Sequence, residues 1–380
     1  MALFFNRISK LSVRFSSSRI THNVFDSQSC GLCTNDLKSR RDNARFFSSL
    51  PQSPYLLLGG KLLRESPEGK IGKHRYFDPT TEKRVYNSEK TVPKELNGQS
   101  LLGTSQGWVA CLEKKDFTVH LTDLYKTWVS SPRIIPLPSI GFKPSTHATE
   151  ISLSSSDPVQ DDFSVAAKFS EYQLSVCRPR WDSKWTHIDT PYSLLPASDL
   201  IYSKRDESFY FTSYKGLYMG SLDLSENELK FQELRLRNQP KIPEASWELL
   251  DKCFMSNHLV ESPSGELFFI KWYTLCIRRE EEEYIFTHGI TKRFMVFRED
   301  EKSKDFCYTE DIGDLCIFLG KSEALCVSAS MYPGLKPNSI YYIGPGLGSY
   351  DLASGTVRSF DTARGKPSLV PYPYWLNPIA

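Results

Sequence analysis

Leu101-Leu-Gly-Thr-Ser-Gln-Gly-Trp-Val-Ala-Cys-Leu-Glu-Lys-Lys-Asp-Phe-Thr-Val-His-Leu-Thr-Asp-Leu-Tyr-Lys-Thr-Trp-Val-Ser-Ser-Pro-Arg-Ile-Ile-Pro-Leu-Pro-Ser-Ile140 contains a whole structural unit. A short apolar strand leads into a Gly- and Ser-containing turn, a second apolar strand follows, and the outer strands are more polar. Apolar runs of four to eight residues bounded by turn residues are strand signals, and many of them at regular spacing point to a sandwich, barrel or propeller.

The same plan recurs loosely along the chain. Units start near Ser53, Leu101, Glu150, Ser198, Ser256 and Asp314, at separations of 48, 49, 48, 58 and 58 residues. A propeller blade takes roughly 40–50 residues. The two long units hold hydrophilic insertions, Arg278–Glu283 and Pro333–Pro337. One stretch, Glu244–Phe254, reads as a helix between blades. The expectation is an all-β fold, a single β-propeller over residues 51–380 with six blades, seven being the alternative. Blades leave only short, protected strand edges.

Composition agrees. Aromatic residues make up 13 % of the 380, with 23 Phe and 19 Tyr, and flat rings pack well on pleated surfaces. Residues 1–50 carry eight Lys and Arg against three Asp, and the remainder 39 basic against 42 acidic residues. The chain's +2 therefore divides into a +5 leader and a −3 body. A near-neutral body argues against nucleic acid as partner, which favours a strongly basic face. No apolar run approaches the ~18 residues that span a bilayer. Nine scattered cysteines imply reduced, mostly buried thiols.

The leader reads as an address. Its first 25 residues hold Arg7, Lys10, Arg14 and Arg19 and no acid, with Phe4, Ile8, Leu11 and Phe15 on one helical stripe. An Arg- and Ser-rich, acid-poor amphipathic N-terminus is a transit-peptide pattern. Arg45-Phe46-Phe47-Ser48 has the form of a mitochondrial processing site, cut after Phe47. Residues 1–50 are expected to engage organellar import machinery and be removed, the destination being the mitochondrion, with the chloroplast or dual targeting as alternatives.

Arg75-Tyr-Phe-Asp-Pro79, Leu102-Gly-Thr-Ser-Gln-Gly-Trp108, Leu259-Val-Glu-Ser262, Lys292-Arg-Phe-Met-Val-Phe297, Ile312–Gly320 and Pro333-Gly-Leu-Lys-Pro-Asn-Ser-Ile-Tyr-Tyr342 follow one another in an order that resembles the plant F-box-associated KIB-type, kelch-like β-propeller family. The resemblance covers residues 53–375. Many such relatives carry an N-terminal F-box, which links ubiquitin-ligase machinery to a target held by the propeller. Here the transit-like segment takes that place, so the resemblance is to an organelle-targeted branch without the F-box. A complete β-repeat body without a catalytic constellation leads to the expectation of a non-enzymatic, monomeric interaction module for an unidentified protein. The alternatives are a ubiquitin-ligase substrate adaptor, an enzyme, or an RNA-binding factor using the propeller face.

No catalytic, cofactor or metal motif stands out. Gly103-Thr-Ser-Gln-Gly107 has the G-x-S-x-G form, but Trp108–Leu112 after it reads as a strand, whereas a nucleophile elbow needs a helix there. The seven histidines are far apart, and Cys30-Gly-Leu-Cys33 lacks a second ligand pair. Gly59-Gly60-Lys61 reads as a hairpin loop and Glu280–Glu283 as a solvated excursion. Trp128, Trp181, Trp185, Trp272, Trp375 and Tyr372-Pro373-Tyr374 exceed what a small core needs. Trp181 and Trp185 are the candidate interaction face, while the C-terminal run is expected to close the ring against the N-terminal strands.

Overall fold

Strand residues that are apolar at every position must bury both faces, because successive side chains point to opposite sides. Trp108–Leu112 is of that kind, the apolar residues of Leu267–Cys276 follow the same rule, and each strand sorts its residues into two cores. Trp108, Ala110 and Leu112 enter one apolar cluster, Val109 and Cys111 another. Phe268, Ile270 and Trp272 part in the same way from Leu267, Phe269 and Tyr273. Sheets with two apolar faces must be stacked on both sides, and a ring of them leaves no face uncovered.

The computed structural model describes residues 52–129, 131–144, 150–169, 172–191, 199–213, 216–224, 228–276, 289–344, 346–360 and 374–378. They form a six-bladed β-propeller. Blade 1 comprises Leu56–Ser66, Gly69–Asp78, Lys83–Tyr86 and Lys90–Pro93, and takes Tyr374–Trp375 as its innermost strand. Blade 2 runs from Ser100–Ser105 out to Ile134–Ser139, blade 3 from Glu150–Leu153 to Thr186–Asp189, and blade 4 from Leu200–Ser203 to Glu228–Glu233. Blade 5 runs from Phe254–Glu261 to Phe306–Thr309, with Leu236–Arg237 added in parallel outside. Six apolar clusters fill the junctions, one between each pair of neighbouring blades.

Blade 6 departs from the plan. Its innermost strand is Leu325–Ser328, which pairs antiparallel with the preceding Leu315–Leu319. That second strand then pairs in parallel with Ser339–Ile343. Pro333–Pro337, expected as a hydrophilic insertion, belongs to the crossover that parallel pairing requires. Arg278–Glu283 lies outside the described residues. The helix covers Glu244–Leu250 only, and Phe254 begins the inner strand of blade 5. Gly59 and Gly60 are not a hairpin loop. They sit within strand Leu56–Ser66, where Gly59 (φ 126°) marks a register shift, and Gly tolerates the backbone of such a bulge.

The tryptophans hold blades to one another. Trp108 Nε1 donates to Ser156 O (3.1 Å) from blade 2 to blade 3, and Trp185 Nε1 returns to Pro138 O (2.8 Å). Trp375 closes the ring. Its backbone pairs with Leu56, and the Leu376 amide donates to Tyr55 O (2.8 Å). Its indole Nε1 donates to Leu319 O (3.0 Å) in blade 6, its ring lies edge-on to Phe318 (4.9 Å), and its carbonyl accepts from Thr104 Oγ1 (3.3 Å) in blade 2. One fully buried residue thus joins three blades, through its side chain to blade 6 and through its backbone to blades 1 and 2.

Trp375→Ala is expected to lower unfolding free energy by about 3–5 kcal/mol, the usual cost of removing a buried indole, in denaturant titration. A loss under about 1 kcal/mol would show that the ring holds without this closure.

The channel mouth as candidate functional site

Inner strands of a propeller end around a central channel, and the turns that follow them form its mouth. Here a cavity of ≈ 560 Å³ opens there. It is lined by Gln106 and Gly107 of blade 2, Lys204 and Arg205 of blade 4, Ser262–Gly265 of blade 5, Glu323–Cys326 of blade 6, and Trp375 and Asn377 of the closing segment. Gly107 is required where it stands. Its φ is +78°, and a Cβ would lie 2.9 Å from Lys126 Cε and 3.0 Å from Asn377 O. At that φ a bare glycine backbone is unstrained.

The rim charges are largely paired. Arg205 meets Asp206 (2.6 Å) and, across the blade junction, Glu299 (2.7 Å). Glu261 accepts from the Lys204 amide (2.9 Å) and from the Ser203 hydroxyl. The floor differs. Glu323 stands in the turn between the first two strands of blade 6 and reaches across the channel. Ser152 Oγ (2.8 Å), the Tyr202 amide (3.4 Å) and the Ser105 hydroxyl donate to its carboxylate. These neutral donors do not offset its burial, which, helped by nearby Asp199, pushes the Glu323 carboxyl up to about 7.

Further ionisable groups converge near the other ends of the inner strands. Glu150 meets Lys168 at 2.6 Å. Burial holds the Glu150 carboxyl well above the usual range against the pull of Lys168. Lys321, near Glu150, is lowered by burial to about 8. His258 Nε2 lies 2.9 Å from Ser256 Oγ, and its Nδ1 lies 3.5 Å from Asp199 Oδ2, which accepts from the Leu259 amide (3.0 Å).

The candidate interaction pair divides. Trp181 is 72 % exposed, with its indole donating to Asp162 (2.9 Å). Trp185 is buried against Phe169 and is a blade-junction residue, so it cannot face a partner. Trp272 and Trp375 are likewise core, and Trp128 is half-buried. Ser105 ends the strand Ser100–Ser105 and the next strand begins at Trp108, with the Ser105 oxygen accepting from the Leu153 amide (2.8 Å), so no nucleophile elbow exists there. His74, His120 and His187 lie in three different blades. Arg45, Phe46, Phe47, Ser48, Cys30, Cys33 and Glu280–Glu283 lie outside the described residues. Among the described residues no group of His, Cys, Asp or Glu could hold a metal ion, and no helix is long and apolar enough to cross a membrane.

Residues 76–363, from the second strand of blade 1 to just past the last strand of blade 6, match the KIB1-4 beta-propeller family. The chain belongs to the KIB1-4 beta-propeller family. Comparison with curated proteins finds no match. Among solved structures, the Pseudomonas aeruginosa periplasmic gluconolactonase is 12 % identical at a TM-score of 0.31, over 82 % of this chain and 82 % of that one. The Kuenenia stuttgartiensis hydrazine synthase is 10 % identical at a TM-score of 0.30, over 69 % and 67 %. Glu323 falls within the family match and went unnoticed in the sequence, where Lys321-Ser322-Glu323 looks like any polar turn between two apolar strands.

Glu323 gives this KIB1-4 propeller a specific pH signature. A carboxyl near 7 when folded and near its ordinary 4.5 when unfolded contributes stability below about pH 4.5 that is lost as pH rises through 7. Buried His74, lowered to about 3 by burial and by Lys90, destabilises the fold in acid, so the readout must be the difference between wild type and Glu323→Gln. The variant is expected to be about equal in stability at pH 4.5 and more stable by roughly 3 kcal/mol at pH 8. A difference constant across pH 4.5–8 in denaturant titrations would contradict the raised pKa.

Proposed function

We propose that this chain is a mitochondrial protein-interaction module: residues 1–50 direct import and are removed, and residues 51–380 bind another protein at the channel mouth. The observation that carries the reading is the mouth itself. It is an open concavity of ≈ 560 Å³ whose walls are turns from blades 2, 4, 5 and 6 together with the closing segment. Loops held by a rigid scaffold are where binding residues concentrate. The basic, Ser-rich leader supports the destination, and the −3 body supports a protein over a nucleic acid.

The test is affinity recovery of tagged protein from fractionated organelles, with N-terminal mapping. A product beginning near Ser48 is expected, with a partner whose recovery falls at least tenfold in Lys204→Glu/Ser264→Trp, which alters two exposed rim residues. A full-length cytosolic product, no partner above background, or a partner indifferent to the rim change would each count against the reading.

A second reading rests on Ser256, His258 and Asp199, whose order of contacts is that of an acyl-transfer nucleophile, base and orienting carboxylate. None of the three lines the mouth cavity, and Asp199 is engaged by the Leu259 amide. Covalent labelling of Ser256 by a fluorophosphonate probe, abolished in His258→Ala of unchanged melting temperature, would favour it. An unlabelled Ser256 would dismiss it.

A further inference from the structure

We propose that the floor of the mouth is a subsite for an ammonium or guanidinium group, presented by a basic side chain of the bound protein, with Glu323 as its counter-ion. The inference rests on the interaction reading and specifies what the mouth recognises. Its first support is an unbalanced charge. An ionised carboxylate accepts about four hydrogen bonds. Glu323 receives three donors, the hydroxyls of Ser105 and Ser152 and the amide of Tyr202, all of them neutral. Among the described residues no cation pairs with it.

The charges that face this point are otherwise disposed. Below, Asp199 adds negative potential and has His258 at 3.5 Å. Glu150 faces Lys168 at 2.6 Å and attracts Lys321. Above, Arg205 is held by Asp206 and Glu299, and Lys204, whose backbone amide donates to Glu261, has an exposed side chain on the rim. The surroundings of Glu323 therefore favour an incoming positive charge.

The shape of the cavity selects among cations. Ile201, Leu325 and Trp375 line it together with Glu323. An apolar wall above a carboxylate floor suits a basic side chain, which packs a methylene stem and places its charge at the tip. A bare metal ion would need several carboxylate, imidazole or thiolate ligands, and no such group exists among the described residues. Burial that raises the Glu323 carboxyl to about 7 gives the subsite its pH dependence. A cation binds the ionised form, and the ionised fraction rises about tenfold between pH 6 and pH 8 for such a group.

The test uses n-butylammonium and n-butylguanidinium as probes, with n-butanol and butyrate as neutral and anionic controls. Binding to the wild-type chain and to Glu323→Gln is followed by calorimetry at pH 6 and pH 8, after melting curves confirm that both are folded. The expected result is binding of at least one cation, about tenfold tighter at pH 8 than at pH 6, weak or absent for both controls and lost in Glu323→Gln. Equal binding of butanol, an unchanged affinity in the variant, or no cation binding at either pH would overturn the proposal. The organelle recovery separates this failure from that of the interaction reading. A partner recovered equally well by Glu323→Gln would sink the subsite and leave the module standing. Cation probes that behave as expected with no partner recovered would uphold the subsite and sink the module.

Discussion

A ring of blades is only as secure as its last junction, and here that junction depends on two residues lent by the C-terminal end of the described chain to blade 1. Tyr374 and Trp375 supply the innermost strand that Leu56 and Leu57 would otherwise lack. The bond from the Trp375 indole to Leu319 and the bond from Thr104 to its carbonyl tie blades 6 and 2 to that strand. Because Trp375 and Asn377 also line the mouth, closing the ring and shaping the cavity are one event. A chain that failed to close would expose unpaired strand edges, the liability that propellers exist to remove.

The apolar core is shared among all six blade junctions. Alternation along each apolar strand sends neighbours to different junctions, so no blade has a private core and each supports two others. Aromatic residues suit this work because a ring spans the gap between stacked sheets, as Trp272 does between Phe294 and Tyr342. The channel is the exception to apolar packing. Inner strands leave polar edges there, and the chain places Glu150, Lys168, Asp199, His258, Lys321 and Glu323 among them. Most of these groups face an opposite charge or a hydrogen-bond partner. Glu323, the one that lines the mouth, has only neutral donors among the described residues, a costly arrangement that binding of a cation would relieve.

Much of this was legible in the sequence, for physical reasons. Apolar runs bounded by turns are local signals, and the units begun at Leu101 and Glu150 start within one residue of the observed inner strands Ser100–Ser105 and Glu150–Leu153. The closing role of the C-terminal run was readable in Tyr374, since a ring that starts with an apolar strand needs an apolar partner from its other end. What failed depended on distant neighbours. Trp181 and Trp185 look alike in sequence, and only Phe169 and Pro138 decide that Trp185 is buried while Trp181 is exposed. Gly59-Gly60 marks a bulge where a loop was expected, because register is set by the partner strand. The reversed inner strand of blade 6 leaves no local trace, and without it Glu323 cannot be placed over Ser152 and Tyr202.

Amide hydrogen exchange across the closing segment examines the ring where it is thinnest. If Tyr374–Trp375 is the inner strand of blade 1, the amide of Leu376, bonded to Tyr55 O, and those paired with Leu56 and Leu57 will exchange as slowly as the amides of Ser100–Ser105, through global unfolding alone. Exchange of residues 374–376 orders of magnitude faster than that of Ser100–Ser105 would mean that the ring is open in solution, and that a mouth built on Trp375 and Asn377 does not persist.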